Sequence, residues 1–160
     1  MRCARLDNGV RLGVDVGTVR IGVAASDSQA IMAFPVDTVP RDELAATAVA
    51  HIAAEREAVM IFVGLPRHLN GEEGASAVDA RVFAQELVEL VSIPVRFVDE
   101  RLTTTSAARA MSSAGKSAKD QRASIDAAAA TVLLESALDI DRLGNLGKVT
   151  LDVPRKEKHD

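Results

Sequence analysis

Tryptophan and tyrosine are absent from the 160 residues, and phenylalanine occurs four times. Most of the stacking platforms that hold single-stranded bases are therefore missing, so a polynucleotide ligand is expected to be recognised by backbone shape rather than base identity. Excess positive charge is lacking too: 19 Lys and Arg against 23 Asp and Glu leave a formal charge of −4. This excludes a protein that grips nucleic acid by bulk electrostatics, since such binders neutralise many phosphates with Lys and Arg. Any such contact must be local. The single cysteine, Cys3, permits no internal disulfide, and the segment Met1–Asp7 has no apolar stretch of the kind a secretory leader needs, so a cytoplasmic location is expected. The longest apolar run, Ala58–Leu65, falls far short of the roughly 20 residues that span a bilayer. Bounded by Glu57 and Pro66, it reads as a buried strand, and no membrane partner is expected.

What is present is enough apolar residue, 48% of the chain, for one ordinary core. One domain over residues 1–138 is expected, followed by a charged, mobile tail over 139–160. Residues 11–26 predict a hairpin with Leu12, Val14 and Val16 on one face and a turn at Gly17-Thr18. A third strand is predicted near 32–39, then a helix over 41–57 with Leu44, Ala48, His51 and Ile52 at helical spacing. Residues 59–63 form a continuous apolar strand of the type buried in parallel sheets. The Gly-rich loop Gly64–Gly74 leads to a helix over 75–91, its inner stripe predicted as Val78, Val82, Phe83, Leu87 and Leu90. A strand over 93–99, a short helix over 103–113 and an Ala-rich helix over 123–138 complete the pattern. This order implies an α/β fold, a mixed five-stranded sheet with helices on both faces.

Three carboxylates stand where such a domain could gather them: Asp15, Glu100 and Asp126. Each lies within or beside an apolar run, where an ionised group is costly unless a cation or hydrogen bonds compensate. Strand alternation places Asp15 opposite Leu12, Val14 and Val16, between Gly13 and Gly17, whose missing side chains leave space for a ligand. Glu100 follows a parallel strand at the end where open α/β sheets collect ligands. Asp99 and Glu100 must point to opposite faces, and alternation alone does not choose between them. Asp126 sits near a helix start, where capping accounts for it as well as catalysis does. Its neighbours Ala129, Ala130 and Leu133 lie on the stripe expected to pack on the sheet.

The candidate ligands are all oxygen, while His51, His68 and His159 are scattered, so zinc is disfavoured and one or two Mg2+ or Mn2+ ions fit. Such ions cleave phosphodiesters without a protein nucleophile, and this is the chemistry expected. The loop Gly64–Gly74 has the placement of a phosphate loop but not the Gly-Lys-Ser/Thr ending of a Walker motif. Arg101 offers a guanidinium for bidentate phosphate contact, and Lys116, Lys119 and Arg122 form a short basic stretch.

Four segments together resemble the YqgF/RuvX family: Asp15-Val16-Gly17-Thr18-Val19-Arg20-Ile21-Gly22, Val63-Gly64-Leu65-Pro66, Asp99-Glu100-Arg101-Leu102-Thr103-Thr104 and Ile125-Asp126-Ala127-Ala128. The resemblance implies a ribonuclease H-like fold and a metal-dependent nuclease of precursor ribosomal RNA, with Asp15, Glu100 and Asp126 as catalytic and metal-binding acids. It selects Glu100 over Asp99 and raises Asp126 above a cap. Thr18, Arg20, Arg67, Arg101, Thr103, Lys116, Lys119 and Arg122 become the candidate substrate contacts. Where the family loop carries Asp before Gly, this chain has Asn70 before Gly71, so that loop is assigned no acid; a fourth carboxylate would have to be Asp99 or Asp120. The family's likeness to Holliday-junction resolvases implies branched DNA as the alternative substrate, for which a homodimer would place symmetric cuts. An RNA-binding assembly factor is the non-enzymatic alternative. An actin-like ATPase, suggested by Asp-x-Gly-Thr, would need a second similar domain to close over ATP.

Overall fold

The hairpin expected at the start organises the sheet. In this computed structural model, which describes residues 8–67, 70, 72–102, 118–144 and 150–156 (102 and 118–126 in backbone only), β1 (Val10–Val16) pairs antiparallel with β2 (Arg20–Ser26). The Gly17 N–H closes the turn by donating to the Arg20 carbonyl at 2.9 Å. β3 (Ala33–Pro40) extends the hairpin antiparallel at the edge, where Pro35 and Pro40 are tolerated because one side needs no ladder bonds. Helix α1 (Ala45–Glu55) crosses to β4 (Ala58–Leu65), parallel to β1, and α2 (Ala75–Leu90) crosses to β5 (Val95–Asp99), parallel to β4. A short 3-10 turn, Glu100–Leu102, follows β5; helix α3 (Ala118–Arg142) and strand β6 (Thr150–Asp152) complete the described chain. The sheet order is β3-β2-β1-β4-β5-β6, mixed as expected but with six strands rather than five. The helix expected over 103–113 lies outside the described residues.

Alternation along the strands divides the core into two layers. Leu12, Val14, Ile61, Val63 and Phe97 pack with Val49, Phe83 and Leu87 of α1 and α2 on one face. On the other, Ala24, Met60, Phe62 and Val98 meet Ala130, Leu133, Leu134, Ala137 and Leu138 of α3. Helix α3 reaches backbone contact at Gly13, where a Cβ would lie 2.8 Å from both the Ala130 carbonyl oxygen and Leu134 Cβ. Arg11, earlier on β1, has its Nη2 3.7 Å from Asp141 Oδ2, so α3 runs antiparallel to β1.

Three expectations need correction. Helix α1 buries Ala45, Ala46, Val49 and Ala53, while Leu44 is exposed before it and His51 faces solvent. Helix α2 buries Ala77, Ala80, Phe83, Ala84, Leu87 and Val88, leaving Val78, Val82 and Leu90 exposed. In both, alanines face inward because α1 and α2 pack on each other as well as on the sheet, and small side chains let them approach. Finally, the segment read as a mobile tail is docked where it is described. Thr150–Asp152 pairs with β5, Val153 is buried, and Arg155 donates to the carbonyls of Val88, Val91 (2.6 Å) and Ile93 (2.8 Å). These carbonyls at the end of α2 require donors, which a charge reading of the tail does not anticipate. Among the described residues, no helix is long and apolar enough to cross a membrane.

Candidate active site

Asp15 stands at the C-terminal end of β1 on the face that receives α3, two residues beyond Gly13. The parallel ladder pairs Val14 with Val63, which brings Gly64 of β4 alongside Asp15. Beyond β4, β5 ends at Asp99, opposite Leu65, and Glu100 follows. The Glu100 side chain lies over Gly64: a Cβ there would be 2.7 Å from Glu100 Oε1 and 3.2 Å from its Cγ. Across this gap Glu100 hydrogen-bonds to Asp15. Two carboxyl groups share such a bond only with a proton between them. Burial first, then the Asp15 charge and that bond, and last the Asp99 charge push Glu100 up to about 8.

This pair fits a hard divalent cation. The groups acting on Glu100 are acids that oppose its ionisation, and an ion bound in place of the shared proton would compensate both carboxylates with oxygen donors. Among the described residues no three His, Cys, Asp or Glu side chains form a metal cage; the Asp126 side chain lies outside that description. The backbone of Asp126 is nevertheless placed in α3, on the row continued by Ala130, Leu133 and Leu134. From Ala130, beside Gly13, one helical turn back to Asp126 is about 6 Å. From Gly13 to Asp15 is about 7 Å along the strand in the same direction. Asp126 is thus level with Asp15 on the helix that covers it.

Asp99 takes the other face, that of Phe97, and is held by arginines. Its carboxylate accepts bonds from the Arg101 backbone N–H (2.9 Å), Nε (3.0 Å) and Nη2 (2.6 Å), and Arg67 Nη1 is 3.8 Å away. The Arg101 hydrogen bond, reinforced by its charge and that of Arg67, holds Asp99 below the usual carboxylate range. Of the other candidates, Thr18 is exposed in the hairpin turn, and Arg20 opens β2 on the Asp15 face. Lys119 and Arg122 belong to α3 in backbone only, as does Asp120, while Thr103 and Lys116 lie outside the described residues.

Two residues escape the sequence reading. Gly64 is recognised as part of a motif, but the close approach that requires it depends on β5 and appears only in three dimensions. Arg41 donates to the Gly17 carbonyl at 3.2 Å and to Asp79 at 2.9 and 2.7 Å, tying the turn beyond Asp15 to α2. Its partner is 38 residues away, so no local pattern reports it. A cleft of about 580 Å³ beside this tie is lined by Thr18, Arg41, Ser76, Val78, Asp79 and Val82.

The RuvX family model, described as Holliday junction resolvase, matches residues 9–140. Relatives named "Putative pre-16S rRNA nuclease" include one from Cutibacterium acnes, 51% identical over 137 residues that cover 85% of this chain and 86% of the relative. Another, from Rhodococcus opacus, is 50% identical over 157 residues, covering 93% and 88%. A third, from Mycobacterium tuberculosis, is 54% identical over 134 residues, covering 82% and 79%. Among solved structures, T. thermophilus RuvC in complex with Holliday junction substrate aligns with 90% of this chain and 99% of its own, with a TM-score of 0.55 at 12% identity. That likeness is one of fold.

Proposed function

This chain belongs to the RuvX family, and from that membership and the carboxyl pair we propose that it is a metal-dependent endonuclease acting on the 5′ region of precursor 16S rRNA. The observation that carries the reading is the contact of Glu100 with Asp15 across Gly64, which concentrates two acids at the ligand-collecting end of the sheet. Asp15 and Glu100, with Asp126 from α3, would hold Mg2+ or Mn2+. When bound, the ion supplies Lewis acidity toward the phosphate and a more acidic water.

The chain's own residues do the rest. With its proton lost to solvent, Glu100 would join Asp15 in holding the ion, and Gly64 leaves room for Glu100 to reach Asp15. Arg20, on the Asp15 face, and Arg67 and Arg101, gathered at Asp99 next to Glu100 in the chain, orient the strand through its phosphates. Thr18, Thr103, Lys116, Lys119 and Arg122 would extend that contact along a structured RNA.

The test is to incubate an end-labelled precursor spanning the 5′ processing region with wild type and Asp15→Asn in Mg2+ or Mn2+. Cleavage by wild type alone is expected; cleavage by neither, or equally by both, would overturn the reading. The family description favours a second reading, a resolvase of branched DNA acting as a homodimer. A four-way junction cut in preference to its matched duplex, together with a dimer in sedimentation, would select it.

A further inference from the structure

Asp99 adjoins the catalytic pair yet faces away from it; Arg101 engages both its oxygens, and Arg67 Nη1 stands 3.8 Å from Oδ2. We propose that Asp99 is an internal anion seated where a substrate phosphate binds, holding Arg101 and Arg67 ready and yielding them when a strand arrives. This rests on the nuclease reading above and adds to it a masked phosphate site.

Geometry supports the assignment in three ways. Arg101 meets Asp99 through Nε on Oδ1 (3.1 Å) and Nη2 on Oδ2 (2.6 Å), the fork with which arginine also binds two oxygens of a phosphodiester. Arg67 is left incompletely bonded: its Nη1 stands 3.8 Å from Asp99, beyond hydrogen-bond range, and its Nε is buried without a partner among the described residues. A guanidinium N–H in that condition calls for an acceptor that the described residues do not supply. Third, two arginines share this carboxylate, so the cluster retains positive charge on a chain whose formal charge is −4. Glu73, also within reach of the Arg67 charge, is bonded to Arg81 at 2.9 Å.

A masked clamp would restrict phosphate binding to strands already brought to Asp15 and Glu100. It also removes Asp99 from the candidates for a fourth metal ligand, since coordination would require it to release both arginines and turn through the sheet edge.

Asp99→Asn separates charge from shape, because the amide oxygen still accepts the Arg101 backbone N–H that starts the 3-10 turn. Binding of a labelled 5′ precursor RNA would be followed by fluorescence anisotropy in EDTA between 50 and 200 mM salt. The expected result is affinity raised about three- to tenfold, with a salt dependence steeper by about one unit. Asp99→Glu should stay near wild type, and Asp99→Asn/Arg101→Ala should lose the gain. Equal or weaker binding by a folded Asp99→Asn overturns the proposal, as does a loss of tenfold or more in Mn2+ affinity, which would make Asp99 a ligand. Asp99→Ser repeats the comparison should the amide destabilise the fold. Wild-type cleavage is scored separately: if wild type fails to cut but Asp99→Asn gains affinity, the nuclease reading fails and the mask stands.

Discussion

Glu100 lies over Gly64 so closely that a β-carbon at position 64 would come within 2.7 Å of its Oε1. The same β-carbon would stand 3.3 Å from Leu133 Cδ2, so α3 blocks escape on one side. Gly64→Ala is therefore expected to push Glu100 away from Asp15. Displacement of a catalytic group by about 1 Å costs on the order of a hundredfold in rate. The stability loss should be about 1–3 kcal/mol, the usual effect of overpacking. Cleavage rates and melting curves measured on one preparation check this; full activity in Gly64→Ala would show that Glu100 need not lie there.

The elevated Glu100 carboxyl gives the metal-free protein a definite pH response. A carboxyl raised from 4.5 to about 8 binds its proton more tightly when folded than unfolded, so its contribution to stability is fully present below pH 4.5 and is lost as pH rises toward 8. Asp27, Asp99 and Glu73, all lowered by hydrogen bonds, act in the opposite sense and only as pH falls through the acidic range. Thermal melts in EDTA from pH 5 to 8.5 should thus show declining stability in wild type and a flatter profile in Glu100→Gln. Mg2+ should restore more stability at pH 8 than at pH 6, because the ion competes with the proton. Identical profiles for wild type and Glu100→Gln would contradict the shared-proton arrangement.

Arg155 joins the end of the described chain to the end of α2 through the carbonyls of Val88, Val91 and Ile93. Arg155→Ala leaves those acceptors to water and is expected to cost about 1–3 kcal/mol. Faster amide exchange in β6 and the last turn of α2, with cleavage little changed, is the expected signature. Exchange unaltered in both segments would mean that the anchor is dispensable.

The contrast between Asp15 and Gly64 shows what was legible in the sequence. Asp15 could be assigned a face because alternation is local: Leu12 and Val14 fill the α1/α2 core as expected, leaving Gly13 and Asp15 toward α3. Strand positions were legible for the same reason. The inner stripes of α1 and α2 were legible only in part: Phe83 and Leu87 are buried and Ala48 and Ile52 pack against the core as expected, but in α2 hydropathy ranks Val78 and Val82 above Ala77, Ala80 and Ala84, whereas close helix packing selects the smaller side chain. Nor were Gly64, Arg41 and Arg155, each defined by a partner distant in the chain. The charge-rich tail looked solvated because its acceptors belong to α2.

The most direct measurement of the central claim is calorimetric titration of Mn2+ into wild type, Asp15→Asn, Glu100→Gln and Asp126→Asn at pH 8. One carboxylate centre predicts binding to wild type and an affinity at least about tenfold lower in each variant, with all three still folded. Mn2+ affinity in Asp15→Asn equal to that of wild type would contradict the account.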